Sequence, residues 1–181
     1  PATMAAAKAA DAFGIFEGHT IEQADAEQAY IQSKLGGTPT WVRLPPERWP
    51  KAWAGLRDPV CPLRLALRGH PDGGSCWEAR CHEKVLEAGF VQVASWPGCF
   101  ARPAKSALLS TYVDDFKLAG PSRHLAKGRS LLRKGLDIEP ETPLGLYLGH
   151  VLLDQRLQHA VPVRVVDALH RHRLGVDLEA E

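Results

Sequence analysis

Residues 107–121 leave the fold of this chain the least freedom. Ala107-Leu108-Leu109-Ser110-Thr111-Tyr112-Val113 and Phe116-Lys117-Leu118-Ala119 are two largely apolar runs that meet across Asp114-Asp115. Such a pattern predicts an antiparallel hairpin with the acid pair at its turn. Gly120-Pro121 ends the second run, because proline has no N–H to give a sheet ladder. Two adjacent carboxylates are poor turn chemistry, since Asn-Gly or Asp-Gly closes a hairpin better. Like charges also raise each other's pKa unless a cation sits between them. A solvated Asp-Asp turn is the plain alternative, but Tyr-Val-Asp-Asp should arise by chance in only about one chain per thousand of this length.

The flanking text supplies helices and shorter strands. Thr3 is a suitable cap for an alanine-rich helix over 3–13, stopped by Gly14. Residues 20–25 alternate weakly, as a short strand does, and 26–35 reads as a helix closed by Gly36-Gly37. Asp25 therefore falls where a strand hands over to a helix. Trp41-Val42-Arg43-Leu44 predicts a second strand, 45–59 an irregular stretch, and 60–67 further alternation. A loop is expected over 69–74, then a helix capped by Ser75 with Trp77, Cys81, Val85 and Leu86 on one side, ended by Gly89. Residues 90–93 and 99–101 read as strands, 122–136 as a helix, 144–153 as another hairpin and 161–173 as helical. Strands and helices interspersed around an antiparallel hairpin define an α+β fold.

The chemistry lies in the acids. Asp25, ending one strand, and Asp114-Asp115, at a hairpin tip, can converge from different strands. Hard divalent cations such as magnesium take carboxylate oxygens. Nucleotide-joining enzymes hold two such ions about 3.5–4 Å apart. On its own Asp25 would be an ordinary helix cap. Cys76, Cys81 and His82 fit no standard zinc spacing, and reduced thiols suit all four cysteines.

Asp25-Ala26-Glu27-Gln28-Ala29-Tyr30 followed by Tyr112-Val113-Asp114-Asp115 resembles motifs A and C of reverse transcriptases. The text between is similar to the copia retrotransposon family in particular. Trp41-Val42-Arg43-Leu44-Pro45, Val60-Cys61-Pro62-Leu63, Leu67-Arg68-Gly69 with Trp77, Gly89-Phe90, Cys99-Phe100, Leu118-Ala119-Gly120 and Gly145-Leu146-Tyr147-Leu148-Gly149 follow that family's order. The resemblance runs over about residues 3–153, more weakly to 175.

It implies a polymerase palm: a ferredoxin-like antiparallel sheet backed by helices over 1–153, with 154–181 a connecting tail or the start of a thumb. Asp25, Asp114 and Asp115 would be the catalytic carboxylates and hold two Mg2+ ions, or Mn2+. Tyr30 would be a steric gate against the ribose 2′-hydroxyl, Asp72 would stand near the incoming nucleotide, and Tyr147, Leu148 and Gly149 would grip the primer end. A core aromatic and a buried strand are the plain readings of Tyr30 and of Tyr147-Leu148-Gly149. Expected partners are an RNA or DNA template-primer, deoxynucleoside triphosphates, and the fingers, thumb and RNase H of a polyprotein.

This sequence departs from the family at Asp72, where a glutamine normally contacts the nucleotide, since an acid facing a triphosphate is unfavourable. No segment before residue 3 supplies fingers. The chain is therefore expected to be part of something longer and to be inactive alone. A catalytically decayed palm serving as a binding or scaffold module is the second reading, and a nucleotidyl cyclase a weaker third.

Charge and hydropathy bound the rest. Lys+Arg 22 against Asp+Glu 21 leaves a net charge of +1, so a nucleic-acid partner needs a local patch. Lys117, Arg123, Lys127, Arg129, Arg133 and Lys134 form an acid-free run that could meet phosphates or simply be a solvated face. His170-Arg171-His172-Arg173 is a second basic cluster. With 45% hydrophobic residues, mean hydropathy -0.20, no bilayer-length apolar run and no signal peptide, a cytoplasmic or virus-like-particle location is expected.

Overall fold

The computed structural model describes residues 1–143 and the backbone of the paired segments Leu146–Tyr147 and His150–Val151. Two compact units emerge, Pro1–Glu27 with Cys81–Glu181, and Gln28–Arg80. The first carries an α+β sheet in which every strand pairing is antiparallel.

Helix α1 (Met4–Gly14) begins at Thr3, whose hydroxyl accepts a hydrogen bond from the Ala6 N–H at 3.3 Å. It leads into β1 (His19–Asp25). Later strands are β4 (Val91–Gln92), β5 (Cys99–Arg102), β6 (Ala107–Tyr112), β7 (Asp115–Pro121) and β8 (Thr142–Pro143), with β2 (Trp41–Val42) and β3 (Cys61–Pro62) in the second unit. Helix α2 (Gly73–Glu87) contains the unit boundary, and α3 (Ser122–Leu132) follows β7. The sheet order is β4-β5-β6-β7-β1-β8, which puts β7 and β1 side by side in the interior.

Period-two alternation assigns the two faces. Ile21, Ala119, Leu108, Ala101 and Cys99 meet the alanine stripe of α1, with Phe13, Val93 and Trp96 around them. Small side chains let the helix lie close. A Cβ on Gly14 would fall 1.9 Å from Ile21 Cγ1, so only glycine allows α1 to end against β1. On the opposite face Leu109, Phe116 and Leu118 lie beneath Leu132 of α3, and a Cβ on Gly128 would stand 3.3 Å from Leu118. Burial pushes the Cys99 thiol up to about 12.

Several sequence expectations need correction. Residues 26–35 are not an α-helix. Only Ala29–Gln32 forms a 3-10 turn, Gln28 has φ 50°, and Ala26 bridges to Ile138. Non-local backbone pairing has overridden local helical spacing. The loop expected over 69–74 ends early: α2 starts at Gly73, and the Ser75 hydroxyl donates to the Asp72 carbonyl at 3.0 Å rather than capping from Ser75. Leu86, expected on the packed side of this helix, is exposed. The hairpin expected over 144–153 is present as the pair β9 (Leu146–Tyr147) and β10 (His150–Val151), while Leu148, Gly149, the boundary after 153 and the helix expected over 161–173 lie outside the described residues.

Candidate carboxylate site

The hairpin turn consists of Val113 and Asp114, one residue earlier than the acid pair suggested, and Tyr112 pairs with Asp115 as its last rung. Val113 has φ +53°. A β-branched residue in the left-handed region is strained, at a cost of about 1–3 kcal/mol. The shift takes Asp115 out of the turn and into β7.

There it meets Asp25. The β1–β7 register makes Asp25 and Asp115 direct cross-strand partners, on the face that α1 covers further along. Directly opposed residues have Cβ atoms about 4.5–5.5 Å apart. Tyr112, Asp115 and Asp25 thus form one transverse row on the sheet. Asp114 adjoins it from the turn, where its carbonyl accepts from the Ala26 N–H at 2.7 Å. The end of β1 is fixed a second time, by Glu139 N–H donating to the Asp25 carbonyl at 2.9 Å.

The electrostatics follow from this arrangement. Asp115 is raised to about 6 by burial, then by the charges of Asp25 and Asp114 and by a hydrogen bond with Asp25, against an opposing pull from Lys117. Lys117 is the next residue along β7 on the same face and is almost fully buried. Its Nζ lies 2.6 Å from Asp11 Oδ1 of α1. A buried ammonium needs such a partner. The Asp11–Lys117 pair escaped the sequence reading, although a lysine inside an otherwise apolar strand was a signal for it.

Three carboxylates gathered at the end of β1 and β7 are the right donor chemistry for a hard divalent cation. Asp25 and Asp115 are in contact, whereas Asp114 contributes charge without a hydrogen bond. Among the described residues, no three His, Cys, Asp or Glu side chains stand as a ready-made ligand set.

The other candidate residues fall elsewhere. Tyr30 and Asp72 belong to the second unit. There the Tyr30 ring edge lies 3.4 Å from where a Cβ on Gly73 would stand, so Tyr30 packs under the start of α2. Asp72 is exposed, with Oδ2 3.1 Å from a would-be Cβ on Gly37. Tyr147 is paired with His150 through its backbone.

The basic run is not one open face. Lys117 is interior. Arg129 pairs with Glu22 and, at 3.1 Å, with Glu141, and Arg133 reaches Glu141 at 3.0 Å. Glu141 is accordingly held below the usual carboxylate range, by a backbone hydrogen bond and then by these two arginines. Arg123, Lys127 and Lys134 remain exposed.

No protein-family model, curated protein or solved structure matches this chain. Among the described residues, no helix is long and apolar enough to cross a membrane.

Proposed function

We propose that this chain is the palm of an RNA-directed DNA polymerase of the copia retrotransposon type, using Asp25, Asp114 and Asp115 in metal-dependent nucleotidyl transfer. The observation that carries the reading is the direct pairing of Asp25 with Asp115, beside the Tyr-Val-Asp-Asp hairpin. A bound magnesium pair would activate the primer 3′-hydroxyl and neutralise the triphosphate.

The chain's own groups prepare that site. Asp25 and Asp115 offer oxygens from two adjacent strands, and Asp114 adds a third carboxylate from a strained turn. Lys117, held by Asp11, supplies a fixed positive charge that keeps Asp115 easier to ionise than its neighbours alone would allow. Template-primer, deoxynucleoside triphosphates and the remaining polymerase regions are the partners this reading requires.

A decayed palm that only binds or scaffolds is the second reading, favoured by Asp72 in place of the nucleotide-contacting glutamine. Extension of a primed RNA template with magnesium separates the two. With the expected fingers segment joined upstream, the polymerase reading expects extension that Asp114→Asn abolishes. Equal extension by both, or none from either, would defeat it for this chain.

A further inference from the structure

Residues 137–143 run antiparallel along β1, on the edge away from β7. Pro143 pairs with Glu22, Thr142 with Gln23, and Ile138 bridges Ala26. The Glu139 N–H donates to the Asp25 carbonyl and the Glu27 N–H to the Asp137 carbonyl, both at 2.9 Å. Asp25 is thus flanked twice, by Asp115 of β7 on one side and by this segment on the other. Yet Pro140 and Pro143 have no N–H to give, so the ladder that holds the segment has gaps.

Side chains from α3 fill those gaps. Arg133, at the helix end, donates from Nε to the Ile138 carbonyl at 3.3 Å and from Nη2 to the Glu139 carbonyl at 2.5 Å. The same Nη2 reaches Glu141 Oε2 at 3.0 Å, while Arg129 Nη2 reaches Glu141 Oε1 at 3.1 Å. Arg129 also pairs, through Nη1, with Glu22 of β1. One carboxylate therefore takes a guanidinium on each oxygen, and one guanidinium ties β1 to the segment directly. The four side chains border an apolar recess lined by Leu109, Phe116 and Leu118. Ion pairs turned partly away from bulk water are screened less than open ones. A lysine ammonium, a point charge, cannot span two carbonyls and a carboxylate as the planar fork of Arg133 does.

We infer that Arg129, Arg133 and Glu141 are positioning residues, which press the 137–143 segment against β1 and so fix the Asp25 carboxylate beside Asp115 for a divalent cation. Their effect on Asp25 passes through the backbone bonds of Glu139 and Glu27. The cation-binding half of this inference rests on the carboxylate reading above; the clamping of β1 does not.

The test uses the whole chain and Mn2+ as the probe. Amide hydrogen exchange by NMR reads the clamp, and Mn2+ titration by EPR reads the site. Glu141→Gln and Arg133→Lys should each speed exchange at Ala26, Glu27 and Glu139 about tenfold, with Phe100 and Leu109 of β5 and β6 unchanged. Both should weaken Mn2+ binding roughly tenfold. Lys134→Gln, an exposed base next to Arg133, should alter neither readout, and Asp115→Asn should abolish Mn2+ binding. A rise in exchange spread evenly over the sheet, or none at the three amides, would overturn the positioning role. So would faster local exchange with Mn2+ affinity intact. A wild type that binds no Mn2+, or binds it as well as Asp115→Asn does, would sink the carboxylate reading itself, and exchange alone would then decide the clamp.

Discussion

Replacing Asp115 by Asn isolates the carboxylate cluster without any substrate. Its carboxyl is moved from the ordinary 3.8 to about 6, first by burial and then by Asp25 and Asp114. At 1.36 kcal/mol per pH unit between unfolded and folded values, ionising Asp115 costs the fold roughly 3 kcal/mol. Water around a partly exposed carboxylate reduces this to about 1–2 kcal/mol. Because the folded value lies above the unfolded one, the folded state binds the proton more tightly. The stability this group contributes is present in full below the unfolded value and is lost as pH rises through about 6.

Asparagine keeps the shape and has no proton to lose. Asp115→Asn should therefore match the wild type in acid and exceed it at pH 8 by about 1–2 kcal/mol, roughly 2–8 °C in Tm for a chain of this size. Urea or thermal melts from pH 3.5 to 8 measure the gap. Magnesium at ten times its dissociation constant should add about 1.4 kcal/mol to the wild type at pH 8 and leave the Asn variant unmoved. A wild type that gains stability between pH 4 and 8 in step with the variant would refute the coupling of β1 and β7 through their acids.

Lys117→Met should cost about 3 kcal/mol in urea melts, because it takes the ammonium 2.6 Å away from the largely buried Asp11 carboxylate, and adding Asp11→Asn should recover most of the loss. Should the double variant be as unstable as the single one, the pair is not the cause. Gly14→Ala should lower stability by about 2–3 kcal/mol through its clash with Ile21, and Gly14→Ala with Ile21→Val should be less damaging than additivity predicts. Val113→Gly should raise thermal stability by about 1 kcal/mol by releasing the φ +53° strain, and an unchanged Tm would show that the turn holds none.

Local chemistry made part of this fold readable. The cap at Thr3, the alanine helix, the strand ending at Asp25 and the 107–121 hairpin each rest on short-range signals, and each is present within a residue or two. The misread segments have long-range causes. Residues 26–35 carry helical spacing, yet Glu27 N–H donates to the Asp137 carbonyl and Ala26 bridges Ile138, partners more than a hundred positions away. The basic run read as one face because sequence spacing could not reveal that Glu22 and Glu141 take Arg129 and Arg133. The turn moved by one residue because pairing with β1 draws Asp115 into the ladder. That slip decides which carboxylate faces Asp25, and pattern alone had no means to fix it.

Ninety positions separate Asp25 from Asp115, and the whole of the 28–80 unit is threaded between them. A nascent or truncated chain that stops before the 107–121 hairpin owns one acid and no partner for it. Whatever these carboxylates bind, they acquire that capacity late, when β7 closes onto β1. The inserted unit, by contrast, has its two-stranded ribbon complete by residue 62. Its strands are paired well before the acids are brought together.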